Sequence, residues 1–109
     1  MSQELVTCTV EDGLCRLTLN CPDKLNALSL RSFKEINTHL DNLDYSQIGC
    51  LLLSGAGRSF CAGHDLEGLA SGEEGDAAAE RLENGVVERL ATLPFPVVAA
   101  VRGHCYTGG

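Results

Sequence analysis

The dipeptide Asp12-Gly13 lies between two stretches that alternate apolar and polar residues, and it constrains the fold more than any other local feature of the chain. Leu5 to Val10 sets Val6, Cys8 and Val10 on one face. Leu14 to Leu19 turns Cys15, Leu17 and Leu19 inward and leaves Arg16 and Thr18 outward. A period of two marks a half-covered strand, and Asp-Gly tolerates the positive φ angles of a type I′ turn. The two stretches therefore read as a β-hairpin closed at Glu11-Asp12-Gly13.

Beyond the hairpin the period changes. Asn20 to Leu28 is a polar loop containing Pro22, Lys24 and Asn26, and Ser29 is a good N-cap. A helix from Leu30 to Leu43 follows, with Leu30, Phe33, Ile36, Asn37, Leu40 and Leu43 recurring at three- and four-residue spacing. Arg31, Lys34, Glu35 and His39 fall nearer its polar side, where His39 reads as solvated. Ile48 to Leu53 is a continuous apolar run, the pattern of a strand covered on both faces. Ser54 to Arg58 is a turn, and the small and acidic residues from Ser71 to Asp76 read as a mobile loop. Asp76 is placed to cap a second helix from Ala77 to Leu93, striped by Leu82, Val86, Leu90 and Leu93. Pro94 and Pro96 stop that helix, and Val97 to Val101 is a second buried strand. A hairpin followed twice by helix and strand is an α/β pattern, with helices packed on one sheet and a single domain over 1–109.

Charge and cysteine usage exclude several functions. Eight basic residues against fifteen acidic ones give a net charge of −7, which disfavours nucleic acid as a partner. Much of the acidity, at Glu67, Glu73, Glu74, Asp76, Glu80, Glu83 and Glu88, reads as a solvated face. No apolar run approaches the roughly 20 residues that cross a bilayer, and Met1-Ser2-Gln3-Glu4 has no basic leader pattern. The expectation is a cytoplasmic protein without a membrane partner. Cys8, Cys15, Cys21, Cys50, Cys61 and Cys105 show neither Cys-x-x-Cys spacing nor histidines at ligand intervals, so they read as core thiols and no metal is expected.

Three loops that leave apolar runs could carry chemistry, because ligands of α/β sheets collect where strands give way to loops. The first is Pro22 to Leu28. In the second, Ser59 to Leu66, the small residues Cys61, Ala62 and Gly63 let a ligand approach the backbone. The third begins with the strand from Pro96 and ends on Thr107-Gly108-Gly109, where free N–H groups could face an anion or a polarised carbonyl.

Taken together, these segments resemble the crotonase (enoyl-CoA hydratase/isomerase) superfamily over essentially the whole chain. Lys24-Leu25-Asn26-Ala27-Leu28 is similar to its Lys/Arg-x-Asn-Ala-Leu loop, and Phe60 to Leu66 to its Phe-x-Ala-Gly-x-Asp-Leu segment. Pro96 to Gly109 is similar to its Pro-Val-hydrophobic-Ala-Ala-Val-x-Gly strand and glycine cluster, with Thr107 departing from the commonest form. The resemblance implies the N-terminal portion of a ββα spiral fold. It also implies an enzyme that binds an acyl-CoA thioester and stabilises an enolate-like intermediate in a backbone oxyanion hole. The two donors would be the N–H groups of His64 and Gly108. The backbone around Lys24, Ala27, Ala62, Gly63, His64, Asp65 and Leu66 would hold CoA, with Lys24 and Arg58 as candidate phosphate partners. Coenzyme A enters as part of the substrate, so no separate cofactor is implied, and a homotrimer or hexamer is the implied assembly.

In hydratases of this family the acid and base are glutamates that come after the third motif, so the sequence reads as ending before them. Hydratase is the first reading and double-bond isomerase the second. A catalytically inactive CoA-binding remnant is an alternative. So is a dinucleotide-binding domain on Gly55-x-Gly57, although there Phe60 occupies the place of the third glycine.

Overall fold

A computed structural model describes residues 4–24, 26, 28–61, 73–101 and 103, without the side chains of 24, 73–80 and 82. The chain runs β1 (Val6–Glu11), β2 (Leu14–Leu19), α1 (Leu30–Asp41), β3 (Cys50–Gly55), α2 (Glu73–Ala91) and β4 (Val97–Ala99), with 3-10 turns at Pro22–Lys24 and Tyr45–Gln47. One four-stranded sheet holds them in the order β1-β2-β3-β4.

The hairpin forms as its sequence requires. Asp12 and Gly13 take φ of 52° and 83°, and β1 pairs antiparallel with β2 from Val6↔Leu19 to Glu11↔Leu14. Cys15, Leu17 and Leu19 are buried, and Arg16 is exposed. Val10, on the same face, is 44% exposed on the edge strand β1, although Cys15 opposite it is buried.

Helix α1 starts at the expected cap. Ser29 Oγ accepts from Ser32 N–H at 3.2 Å and Ser32 Oγ accepts from Ser29 N–H at 3.1 Å, a reciprocal capping box in which serine replaces the usual Glu or Gln. The helix buries Phe33, Ile36 and Leu40 and ends at Asp41, two residues before the expected Leu43. Asn42 closes it by donating to Thr38 and His39 carbonyls. The polar side of α1 is not simply solvated. Glu35 Oε1 accepts from Leu5 and Val6 N–H at 2.8 and 3.1 Å, and His39 Nε2 donates to Val6 O at 2.8 Å. These two residues fasten the start of β1 to the helix, so the reading of His39 as solvated is corrected.

Three other expectations change. Strand β3 begins at Cys50 rather than Ile48, because Asp44 caps a 3-10 turn at Tyr45–Gln47 that consumes the preceding residues. Helix α2 begins at Glu73, so Asp76 lies inside it and part of the expected mobile loop is helical. The third change is at β4, whose three residues are all exposed. Val98 is 50% and Val101 54% exposed, against the expectation of a buried strand. Apolar composition alone cannot supply a covering layer, and among the described residues β4 has a sheet neighbour only in β3.

The core lies between the sheet and the two helices. Leu17 and Leu51 are fully buried, with Leu40, Phe33 and Val86 packed over them. Burying each such side chain contributes about 1.5–3 kcal/mol. Arg89 on α2 ties the helices together, pairing with Asp41 Oδ1 at 2.8 Å and reaching Asn37 O and Tyr45 OH at 3.4 Å.

Candidate active site

The sheet places the three motif loops at one end. β2 runs parallel to β3, and β3 parallel to β4, with Leu19 opposite Gly55 and Leu53 opposite Ala99. Each of these adjacent strands delivers one motif: β2 the first, β3 the second and β4 the third. Backbone bonds continue past the strand ends, with Ala56 N–H donating to Leu19 O at 2.8 Å and Ala100 N–H to Leu53 O at 2.9 Å. In a parallel α/β sheet this carboxyl end is where ligands bind.

Asn26 joins the first motif to the second. Its side chain is 2% exposed and its backbone is left-handed, with φ of 57°. Oδ1 accepts from Cys21 N–H at 2.8 Å, while Nδ2 donates to Ala56 O and to Ser59 O at 2.9 Å each. A planar amide with one acceptor and two donors satisfies three backbone groups from two loops at once. The approach is close: a Cβ on Gly55 would come within 2.6 Å of Ser59 O and 2.8 Å of Asn26 Nδ2, and would strike Phe60 O.

Gly103 joins the third motif to the second. Its φ is +64°, and an added Cβ would collide with Arg58 O and lie 3.0 Å from Ser59 Oγ. Residues 58–61 thus form a seat against which the first and third loops rest, with Ser59, Phe60 and Cys61 all buried. Below the seat is an apolar cleft of about 240 Å³, bounded by Leu19, Leu53, Phe60 and Ala99 from the strand ends and by Phe33 and Val86 from the helices.

Of the residues singled out from the sequence, Lys24 lies in the 3-10 turn beside Pro22, whose Cβ would be 2.9 Å from a Cβ on Gly57. That contact brings the Lys24 turn next to the Arg58 turn. Ala27, Ala62, Gly63, His64, Asp65, Leu66 and Gly108 lie outside the described residues. What sequence reasoning missed is the scaffold: Asn26 entered only as one letter of a motif, Gly55 only in the dinucleotide alternative, and Ser59 and Gly103 carried no role. The signal available in advance was the pairing of an Asn inside a polar loop with a glycine-rich turn after a strand. The described residues hold no group of three or more histidine, cysteine or carboxylate side chains placed for a metal ion.

Several solved structures share this arrangement and define its class. An enoyl-CoA hydratase from Bacillus anthracis superposes with a TM-score of 0.90 at 29% identity, covering 97% of this chain and 43% of that one. An enoyl-CoA hydratase/isomerase from Xanthobacter autotrophicus Py2 superposes with a TM-score of 0.87 at 30% identity, covering 98% and 42%. The architecture is the crotonase fold. Residues 9–109 match the model of the enoyl-CoA hydratase/isomerase family, and the chain belongs to that family. Among curated relatives, the 1,2-epoxyphenylacetyl-CoA isomerase of Escherichia coli K12 is 41% identical over 106 residues, covering 92% of this chain and 40% of the relative. A peroxisomal Delta(3,5)-Delta(2,4)-dienoyl-CoA isomerase of Arabidopsis thaliana is 32% identical, covering 97% and 43%. The chain spans about two fifths of the length of these relatives.

Proposed function

We propose that the whole protein acts on acyl-CoA thioesters and stabilises an enolate-like intermediate with the backbone N–H groups of His64 and Gly108. The observation that carries this reading is the convergence of the three motif loops on one sheet end, locked by Asn26 and seated by Gly103. When a proton leaves the carbon next to the thioester, negative charge collects on the carbonyl oxygen. Fixed donors aimed at that oxygen lower the barrier without reorganising, and removing one such donor typically costs about 10²–10³ in kcat. In the sequence, His64 and Gly108 follow β3 and β4, which are adjacent parallel strands.

On this reading the main chain around Lys24, Ala27, Ala62, Gly63, Asp65 and Leu66 holds the CoA arm, and Lys24 and Arg58 balance its phosphates in an otherwise acidic chain. The apolar cleft beneath the seat suits an aliphatic or aromatic acyl group. The His64 imidazole shapes the acyl pocket, its contribution to catalysis being the main-chain donor. Coenzyme A is part of the substrate, and the assembly is a homotrimer or hexamer. An isomerase reading stands beside the hydratase one, because two relatives that cover most of this chain are named as isomerases. Both reactions use the same oxyanion hole and differ in where the proton is returned.

The test separates backbone from side chain. In the whole protein, His64→Pro and Gly108→Pro each remove one N–H and are expected to lower kcat by about 10²-fold or more. His64→Ala keeps the N–H and should stay within a few-fold of the parent. Water addition and double-bond migration are followed on the same enoyl-CoA, with thermal protection by CoA reporting that binding persists. Unchanged turnover in either proline variant refutes the assignment.

A further inference from the structure

The hairpin carries a feature that the acyl-CoA chemistry does not use. Cys8 on β1 and Cys15 on β2 lie on the same face of the sheet, because Cys8 is opposite Leu17 and Val10 is opposite Cys15. Their sulfur atoms are 3.6 Å apart. Cys8 is half-buried and Cys15 is fully buried behind it. We propose that Cys8 and Cys15 form a reversible oxidation site, which closes into a cross-strand disulfide when the protein meets a peroxide.

The geometry sets both the order of events and their reversibility. The more accessible thiol reacts first. The Cys8 thiolate attacks the peroxide, an S–O bond forms as the O–O bond breaks, and the departing hydroxide takes up the thiol proton as water. Cys15 sulfur then attacks Cys8 sulfur, the S–S bond forms as the S–O bond breaks, and the leaving hydroxyl departs as a second water with the Cys15 proton. Two thiols lose two electrons and two protons, and one peroxide becomes two waters. Cys15 does not begin the sequence, because it is fully buried behind Cys8.

The bond would be a labile one. Cys8 and Cys15 are diagonal rather than directly opposite, and diagonal cross-strand positions have Cα atoms about 7–8 Å apart, against the 4.4–6.8 Å usual for disulfides. Closing the sulfurs from 3.6 Å to about 2.05 Å therefore requires the two paired strands to shift, and the bond holds them away from their resting register. Strained disulfides have higher reduction potentials and are reopened readily by cellular thiols, which is the behaviour of a switch rather than a staple.

Peptide mapping tests this directly, because no Lys or Arg lies between Met1 and Arg16, so trypsin cutting after Arg16 leaves Cys8 and Cys15 on the same Met1–Arg16 stretch, away from Cys21 and Cys50. The whole protein is treated with hydrogen peroxide, quenched, denatured, alkylated and digested. The expected product is a single Met1–Arg16 peptide, two hydrogens lighter than the dithiol and bearing no alkyl group, counted apart from any oxygen added to Met1. Dithiothreitol should restore both alkylation sites. With Cys15→Ser, Cys8 should be trapped as the sulfenic acid by dimedone, whereas with Cys8→Ser, Cys15 should remain alkylatable. Two alkylated cysteines after peroxide treatment overturn the proposal. So does a bridge from either residue to Cys21 or Cys50, a bond between two chains, or Cys8 oxidised to sulfinic acid beside a free Cys15 thiol.

Discussion

Replacing Asn26 with alanine should be among the most damaging single changes in the described part of the chain. It removes an amide that satisfies Cys21 N–H, Ala56 O and Ser59 O, all at 2.8–2.9 Å, in a position only 2% exposed. Each buried backbone group left without a partner costs about 1–3 kcal/mol, less where water can enter. Alanine must also hold a φ of 57°, a left-handed conformation that costs an ordinary residue about 1–2 kcal/mol and asparagine less. Because the three groups share one site and their losses are not independent, a net loss of about 3–5 kcal/mol is expected. Asn26→Gly isolates the backbone contribution, since glycine adopts this φ freely, and it should recover about 1 kcal/mol relative to alanine. Asn26→Asp keeps the acceptor for Cys21 but sets an oxygen against two carbonyls. The folded state should therefore favour the protonated acid, so this variant loses stability as pH rises above the ordinary carboxyl range. The assay is urea unfolding of the set, with hydrogen exchange at Cys21 as the local reporter. A loss below about 1 kcal/mol for Asn26→Ala, with Cys21 exchange unchanged, would refute the view that one amide locks the two loops.

Three further outcomes are expected. Glu35→Ala should cost about 1–3 kcal/mol and accelerate exchange at Leu5 and Val6, while Glu35→Gln, which keeps an acceptor oxygen, should lose less. Gly103→Ala should be destabilising because its φ is +64° and the new Cβ meets Arg58 O and Ser59; in the whole protein kcat should fall along with stability. The third concerns alkaline pH. Burial and Cys8 raise the Cys15 thiol from 9.0 to about 12 in the folded chain, so the unfolded chain releases that proton first. Stability should be fully present below about pH 9 and fall as pH rises toward 12, by at most about 1.4 kcal/mol per pH unit. The difference between wild type and Cys15→Ala in urea midpoints at about pH 8 and about pH 10 isolates this contribution. Parallel shifts in the two proteins would contradict it.

The parts of this fold that were legible in the sequence are those fixed by neighbours along the chain. Alternation around Asp12-Gly13 specified the hairpin, and Ser29 specified the start of α1, because turn and cap chemistry act over a few residues. Glu35 and His39 were not legible as fasteners, since a polar helix face looks the same whether it meets water or the backbone of a strand some thirty residues away. The exposure of Val98 and Val101 was equally hidden, because an apolar run announces that burial is favourable without saying what would cover it. For the candidate site, motif order along the chain pointed to three loops, and only the parallel pairing of β2, β3 and β4 explains why they meet. The lock by Asn26 depends on contacts across thirty or more residues, beyond the reach of local spacing.

The Asn26 lock also distributes mutational tolerance unevenly. All three of its partners are main-chain atoms: one amide hydrogen at residue 21 and two carbonyl oxygens at residues 56 and 59. Every amino acid offers a carbonyl and every one but proline offers an N–H, so the lock places no demand on side-chain identity at those positions. Position 21 should accept any residue except proline. Position 56 should accept most residues, and position 59 small ones that spare the Gly103 contact. Position 26 must supply an acceptor, two donors and a left-handed backbone, which asparagine alone among the common residues does in so short a side chain. In a library of variants selected for folding, drift should therefore spread through the two loops while a single codon stays fixed.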